Sequence, residues 1–120
     1  MNYSRFEIIG HLTRDPEAVE VGDALKAIIR VAVNRTWTDF QGEAQEETDF
    51  FTVEAWRGLA ETFRDHLREG RLVFVAGHMR QDSWETEEGE SRSRVRFVAR
   101  EFRFLDRKAS DPQLAAGEGV

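Results

Sequence analysis

Apolar side chains recur at every second residue through most of this chain, and that period commits it to strands. FEIIGHL puts Phe6, Ile8 and Leu12 on one side and Glu7 and His11 on the other, and Asp15-Pro16 follows as a turn. LKAIIRVAVNR aligns Leu25, Ala27, Ile29, Val31 and Val33, with Lys26, Arg30 and Asn34 opposite them beside Ile28 and Ala32. TDFFTVEAW sets Phe51, Val53 and Ala55 against Phe50, Thr52, Glu54 and Trp56. RLVFVAGHM, rich in β-branched and aromatic residues, reads as a fourth strand, and in a fifth Val95, Phe97 and Ala99 alternate with Arg94, Arg96 and Arg100. Phe102 and Phe104 resume on the opposite parity, which predicts a bulge near Arg100-Glu101.

The period changes once. In RGLAETFRDHLREG, Leu59, Phe63 and Leu67 recur every fourth residue with Ala60 beside them, and Gly70 stands where a left-handed residue can end a helix. The order is three strands, one helix, two strands. It predicts an OB-fold: a five-stranded antiparallel Greek-key barrel with its helix between strands three and four. An open α+β sheet with the helix on one face is the alternative. At 120 residues the chain fits one domain, expected over residues 1–106, with 107–120 as a short flexible C-terminal tail.

Composition narrows the setting. The chain has no cysteine, so it can form neither a disulfide framework nor a thiolate metal site. MNYSRFEIIG lacks the basic and apolar regions of a signal peptide, and no run of 18 apolar residues occurs. The expectation is a cytoplasmic, nucleoid-associated protein with no membrane partner. His11, His66 and His78 share no short spacing, and no HExxH, GxSxG or glycine-rich phosphate loop is present. No enzyme activity, metal or cofactor is therefore expected.

The aromatic residues are the anomaly. If Phe51, Val53 and Ala55 face the core, Phe50 and Trp56 face out. Trp37 follows the second strand in a polar loop, and Trp84 lies in QDSWETEEG among polar neighbours. Each ring alone has a bland explanation: a strand buried on both sides, or a loop docked over the ring. Together they form a set of large rings that the core does not use. Exposed rings on a small barrel suit flat ligands, and nucleobases stack on such rings for about 1–3 kcal/mol each.

IIGHLTRDPE, VNRTW, TDFFTVEAWRGLAE, HLREGRLVFVAGHMR and the Trp of QDSWETEEG fall in an order and spacing that resembles the bacterial single-stranded DNA-binding proteins, from Arg5 to about Leu105. The resemblance implies an OB-fold whose rings stack on single-stranded DNA while basic residues follow the phosphates. It also implies a homo-oligomer, a tetramer for chains with one such domain. The family's stacking positions fall on Trp37, Phe50, Trp56 and Trp84, with Phe50 where the family commonly has Trp and Trp56 where it commonly has Phe. A primosomal-type OB module, whose same face meets protein, is the competing reading, and a small-ligand or oligosaccharide OB-fold is the third.

Charge supports this reading only in part. Arg5, Arg35, Arg57 and Arg80 are the expected phosphate contacts, with Lys26 and Arg30 as further candidates, and Arg94, Arg96, Arg100 and Arg103 are ranked below them. Only Arg5 and Arg80 fall where the family is usually basic. Glu69, Asp82 and Ser83 stand where the family often has Lys or Arg. The net charge is -6, and acidic runs occupy both hairpin loops, so a reduced electrostatic share of binding is expected. DRKASDPQLAAGEGV has neither clustered acids nor a bulky apolar end, so recruitment of repair or replication enzymes through it is not expected.

Overall fold

The computed structural model describes residues 1–106. The tail expected over 107–120, and the reading of its recruiting power, lie outside the described residues. The elements are β1 (Phe6–Leu12), β2 (Glu17–Val21), β3 (Ala24–Thr38), β4 (Ala44–Trp56), α1 (Arg57–His66), β5 (Leu72–Glu85) and β6 (Ser91–Phe104). The sheet runs β1-β5-β6-β4-β3-β2, and a second pairing between β1 and β3 closes it into a barrel. β4 and β6 pair in parallel at Val53/Phe97 and Glu54/Val98, while every other pairing is antiparallel. Five strands closing this way, with the helix between the third and fourth of them, form an OB-fold.

Alternation builds the barrel as the sequence requires. β1 is buried at Phe6, Ile8, Gly10 and Leu12 and exposed between them. Ala27, Ile29, Val31, Val53, Val73 and Val75 fill the interior, and Phe97 meets Phe6 and Phe51 edge-on at 5.2 and 5.8 Å between ring centres. The bulge expected near Arg100-Glu101 is present: Ala76 pairs with Glu101 and Gly77 with Ala99, which leaves Arg100 over. Gly77 permits that crossing, because a Cβ there would lie 1.9 Å from the Val98 carbonyl oxygen. Gly10 does the same at the seam, where a Cβ would lie 2.2 Å from the Ala32 carbonyl oxygen.

Three expectations need correction. β2 was not anticipated. EAVEV pairs with the start of β3, and all five residues are exposed, so no buried stripe announces it. The helix ends at His66 instead of running to Gly70. Leu67 leaves it with extended dihedrals and is fully buried, while the Gly70 amide donates to the Leu12 carbonyl. Burial of Leu67 in the core outweighs one more helical turn. Lastly, Trp37 and Trp84 are not in loops. β3 and β4 continue beyond the barrel as a two-stranded arm, and β5 and β6 form a second. Val95, which shares its parity with the barrel residues Phe97 and Ala99, belongs to that second arm and is exposed.

The two arms end in matching turns. The Asp39 amide donates to Glu43 O and the Gly42 amide to Asp39 O, and Thr86, Glu90 and Gly89 repeat that pattern. The Asp39 carboxylate accepts from the Gln41 and Glu43 amides at 2.9 Å and from Gln45 Nε2 at 3.0 Å. The Glu43 amide and the Gln45 side chain, ahead of the Gln41 and Gly42 amides, hold its pKa below the usual carboxylate value.

Candidate nucleic-acid interface

The outer face of the barrel is assembled strand by strand. Across β3 and β4, Lys26 faces Trp56, Ile28 faces Glu54, Arg30 faces Thr52 and Ala32 faces Phe50. The Arg30 guanidinium lies 4.3 Å from the centre of the Phe50 ring, and Lys26 Nζ lies 5.5 Å from that of Trp56. The parallel pairing carries this face onto β6, and the next ladder carries it onto β5, where Arg96 pairs with Arg80, Arg94 with Asp82 and Arg92 with Trp84. Phe50, Trp56 and Trp84 are thereby brought to one side of a continuous sheet. Phe50 and Trp84 are exposed and Trp56 is half-buried.

A polar relay crosses the middle of this face. Glu54, only 6% exposed, accepts from Trp56 Nε1 at 2.6 Å and from Arg96 Nη1 at 3.3 Å. Arg96 Nε lies 3.3 Å from Asp82 Oδ2, an ion pair outside hydrogen-bonding geometry, and Asp82 also meets Arg94 at 3.7 Å. Trp56 therefore has its one donor satisfied inside the protein, and what it offers outward is ring surface. Glu54→Ala leaves the indole N–H and a guanidinium without their acceptor and is expected to cost about 1–3 kcal/mol of stability, with Glu54→Gln milder, as urea unfolding measures.

Trp37 lies elsewhere. It falls on the interior parity of β3 with Val33 and Arg35, opposite to that of Phe50, and β3 and β4 pair without a register shift between them. Trp37 is exposed because the arm carries this parity out of the barrel. The Arg35 guanidinium sits 5.4 Å from the centre of its ring. Phe40, at the turn closing this arm, is fully exposed and was passed over in the sequence, although its position between Asp39 and Gln41 in a polar turn marks it.

The expected cations divide sharply. Arg5 is held by Glu7 and Glu101, both at 3.1 Å, and Arg35 by Glu47 at 2.6 Å and Asp49 at 2.7 Å. Arg57 and Arg80 line a cleft beside Trp56, together with Arg96 and Arg100. Arg96 and Arg100 are among the arginines that the sequence ranks below Arg57 and Arg80. Arg94 lies 5.9 Å from the Trp84 ring centre, whereas Arg103 is drawn toward Glu101 at 3.9 Å.

A closed OB barrel whose open sheet face presents rings and guanidinium groups defines a class of protein built to hold flat, anionic chains. The profile of the "Single-strand binding protein family" matches residues 3–105, and the chain belongs to that family. It is 36% identical over 110 residues to the single-stranded DNA-binding protein of Thermotoga maritima, covering 91% of this chain and 78% of that one. The Aquifex aeolicus protein of the same name is 37% identical over 115 residues, covering 94% and 78%. Among solved structures, a "Plasmodium falciparum SSB complex with ssDNA" superposes with a TM-score of 0.77 at 21% identity, over 88% of this chain and 97% of that one. A deletion mutant of the Thermus aquaticus single-stranded DNA binding protein gives 0.77 at 24% identity, over 89% and 52%. At these identities the two structures bear on the fold, and both share it. No helix among the described residues is long and apolar enough to cross a membrane.

Proposed function

We propose that this protein binds single-stranded DNA without sequence preference and coats and protects it during replication, recombination and repair. The observation that carries the reading is the sheet face on which Phe50 and Trp56 are presented beside Arg30 and Lys26. Rings hold bases by their faces, which every base has, and neighbouring cations hold phosphates. The activity in this reading is binding and not catalysis, exercised on DNA in the cytoplasm at the nucleoid. Titration with oligothymidylate, followed by tryptophan fluorescence, tests this directly. Quenching at micromolar protein and low salt is expected with single strands and much less with duplex, whose paired bases hide their faces. An unchanged emission overturns the reading.

Salt dependence follows from the count of unneutralised cations. Among the described residues, Lys26, Arg30, Arg57, Arg80 and Arg100 adjoin this face without a carboxylate at ion-pair distance. At about 0.7 per phosphate neutralised, five such contacts give log K against log salt a slope of about -3.5. A slope of about -5.6, eight contacts at about 0.7 each, requires Arg5, Arg35 and Arg94 to leave their carboxylates for the strand as well.

Assembly belongs to the same proposal. β1 pairs with β5 from Phe6 to His11, but with β3 only at His11 and Leu12. Its second edge over residues 6–10 has no strand partner among the described residues, and unpaired strand edges seek partners. A homotetramer is expected in light scattering at tens of micromolar, and a monomer there refutes it.

A further inference from the structure

Among the described residues most cations are answered by the protein's own carboxylates, and the cleft between the start of α1 and the β5–β6 arm gathers three that are not. It has a volume of about 460 Å³. Trp56 and Arg57 form one wall, and His78, Arg80, Arg96 and Arg100 form the other. The charged groups lining it are Arg57 from α1, His78 and Arg80 from β5, and Arg96 and Arg100 from β6, with the buried Glu54 of β4 and Asp82 of β5 behind Arg96. Four guanidinium groups thus meet at the cleft, and the two carboxylates nearby are already engaged, Glu54 by Arg96 and Trp56 and Asp82 by Arg96 and Arg94. Among the described residues, Arg57, Arg80 and Arg100 have no acid at ion-pair distance.

His78 sits between two of these arginines. Arg80 Nε lies 3.3 Å from its Nε2, and Arg100 Nε lies 3.1 Å from its Nδ1. A neutral imidazole offers one lone pair in its plane, so only one of the two approaches can be a hydrogen bond at a time. A protonated ring accepts from neither. Arg57, at the lip, is held at a φ of 60°, the only positive value among the described residues other than glycine. A left-handed, non-glycine residue carries strain that its surroundings must sustain.

We propose that this cleft binds a phosphate group of the bound strand, beside the base stacked on Trp56, and that His78 takes up a proton from solvent as the phosphate enters. The inference rests on the single-strand reading above and adds to it a located phosphate site with a proton-linked member. Without an anion, burial first, and then the charges of Arg100, Arg80 and Arg96, hold His78 below its usual pKa, with Glu54 opposing them. A phosphate reverses that field. The imidazolium that forms turns both ring N–H groups into donors and releases Arg80 and Arg100 toward the ligand. Binding therefore carries a proton with it, and affinity rises as pH falls, by up to about tenfold per pH unit within the window between the free and bound pKa values of His78.

The test has two arms. Oligothymidylate affinity is measured between pH 8 and pH 5.5 for the natural chain and for His78→Gln, and the His78 imidazole is titrated by NMR alone, with oligothymidylate and with the same concentration of inorganic phosphate. The expected result is several-fold tighter binding at pH 5.5, loss of that gain in His78→Gln, and an upward shift of the His78 titration with the oligonucleotide only. Wild-type pH dependence in His78→Gln, or a His78 titration unmoved by DNA, overturns the proposal while leaving single-strand binding intact. An equal shift with inorganic phosphate overturns the assignment to the strand and makes the cleft a free-anion site. No binding of the oligonucleotide at any pH is instead the failure of the single-strand reading itself.

Discussion

Replacing Phe50 and Trp56 together by alanine is expected to weaken oligothymidylate binding by about 2–6 kcal/mol, the sum of two stacking losses of about 1–3 kcal/mol each. The sum is legitimate because the two rings stand six residues apart on β4, about 20 Å at the rise of a strand, with separate cation partners in Arg30 and Lys26. Fluorescence titration through Trp84 and Trp37 remains available in the double variant. Trp56→Phe, which keeps a ring and loses only the donor to Glu54, is expected to retain most of the affinity. Trp37→Ala is expected to cost less than Phe50→Ala, since Trp37 lies on the other side of the same ribbon. Equal losses at Trp37 and Phe50 overturn the single-face arrangement and require the strand to wrap the arm.

Phe63→Ala is expected to cost about 3–5 kcal/mol of folding stability, the range for a large ring removed from a packed core. Phe63 is fully buried and meets Phe102 edge-on at 5.4 Å between ring centres. It projects from the helix into the barrel, so its loss empties the contact that joins α1 to the sheet. Urea unfolding measures the change, and a cost below about 1 kcal/mol refutes the account of the core. Surface substitutions on the arms are expected to move the same transition by at most a few tenths of a kcal/mol.

What the sequence disclosed and what it withheld have a common cause. Phe6, Ile8 and Leu12, or Ala27, Ile29 and Val31, announce their strands because one side of each is dry and the other wet. β2 and the arms have water on both sides, so polar residues are tolerated at either parity and the period fades. Trp37 and Trp84 look like loop residues in the sequence for that reason. Phe50 and Trp56 were legible as outward-facing because the core parity of the same strand was unambiguous. Partnerships were not legible. Nothing local links Glu54 to Arg96, 42 residues away, or shows that Arg5 and Arg35 are already answered by Glu101 and Asp49. Adjacency in sequence favoured Arg35 beside Trp37, whereas the barrel's parallel strand pair brings Arg96 to Trp56.

The unbroken pairing of β3 with β4, thirteen consecutive pairs from Lys26/Trp56 to Thr38/Ala44, makes the arm adjustable in length. Deleting two residues from each strand near the turn shortens the ribbon while returning every remaining side chain to its own side. Deleting one from each exchanges the two sides outboard of the cut. The arm can thus be lengthened or trimmed in even steps while the barrel stays as it is, so the length of chain that one subunit covers and the stability of its core are separate variables, open to change one without the other.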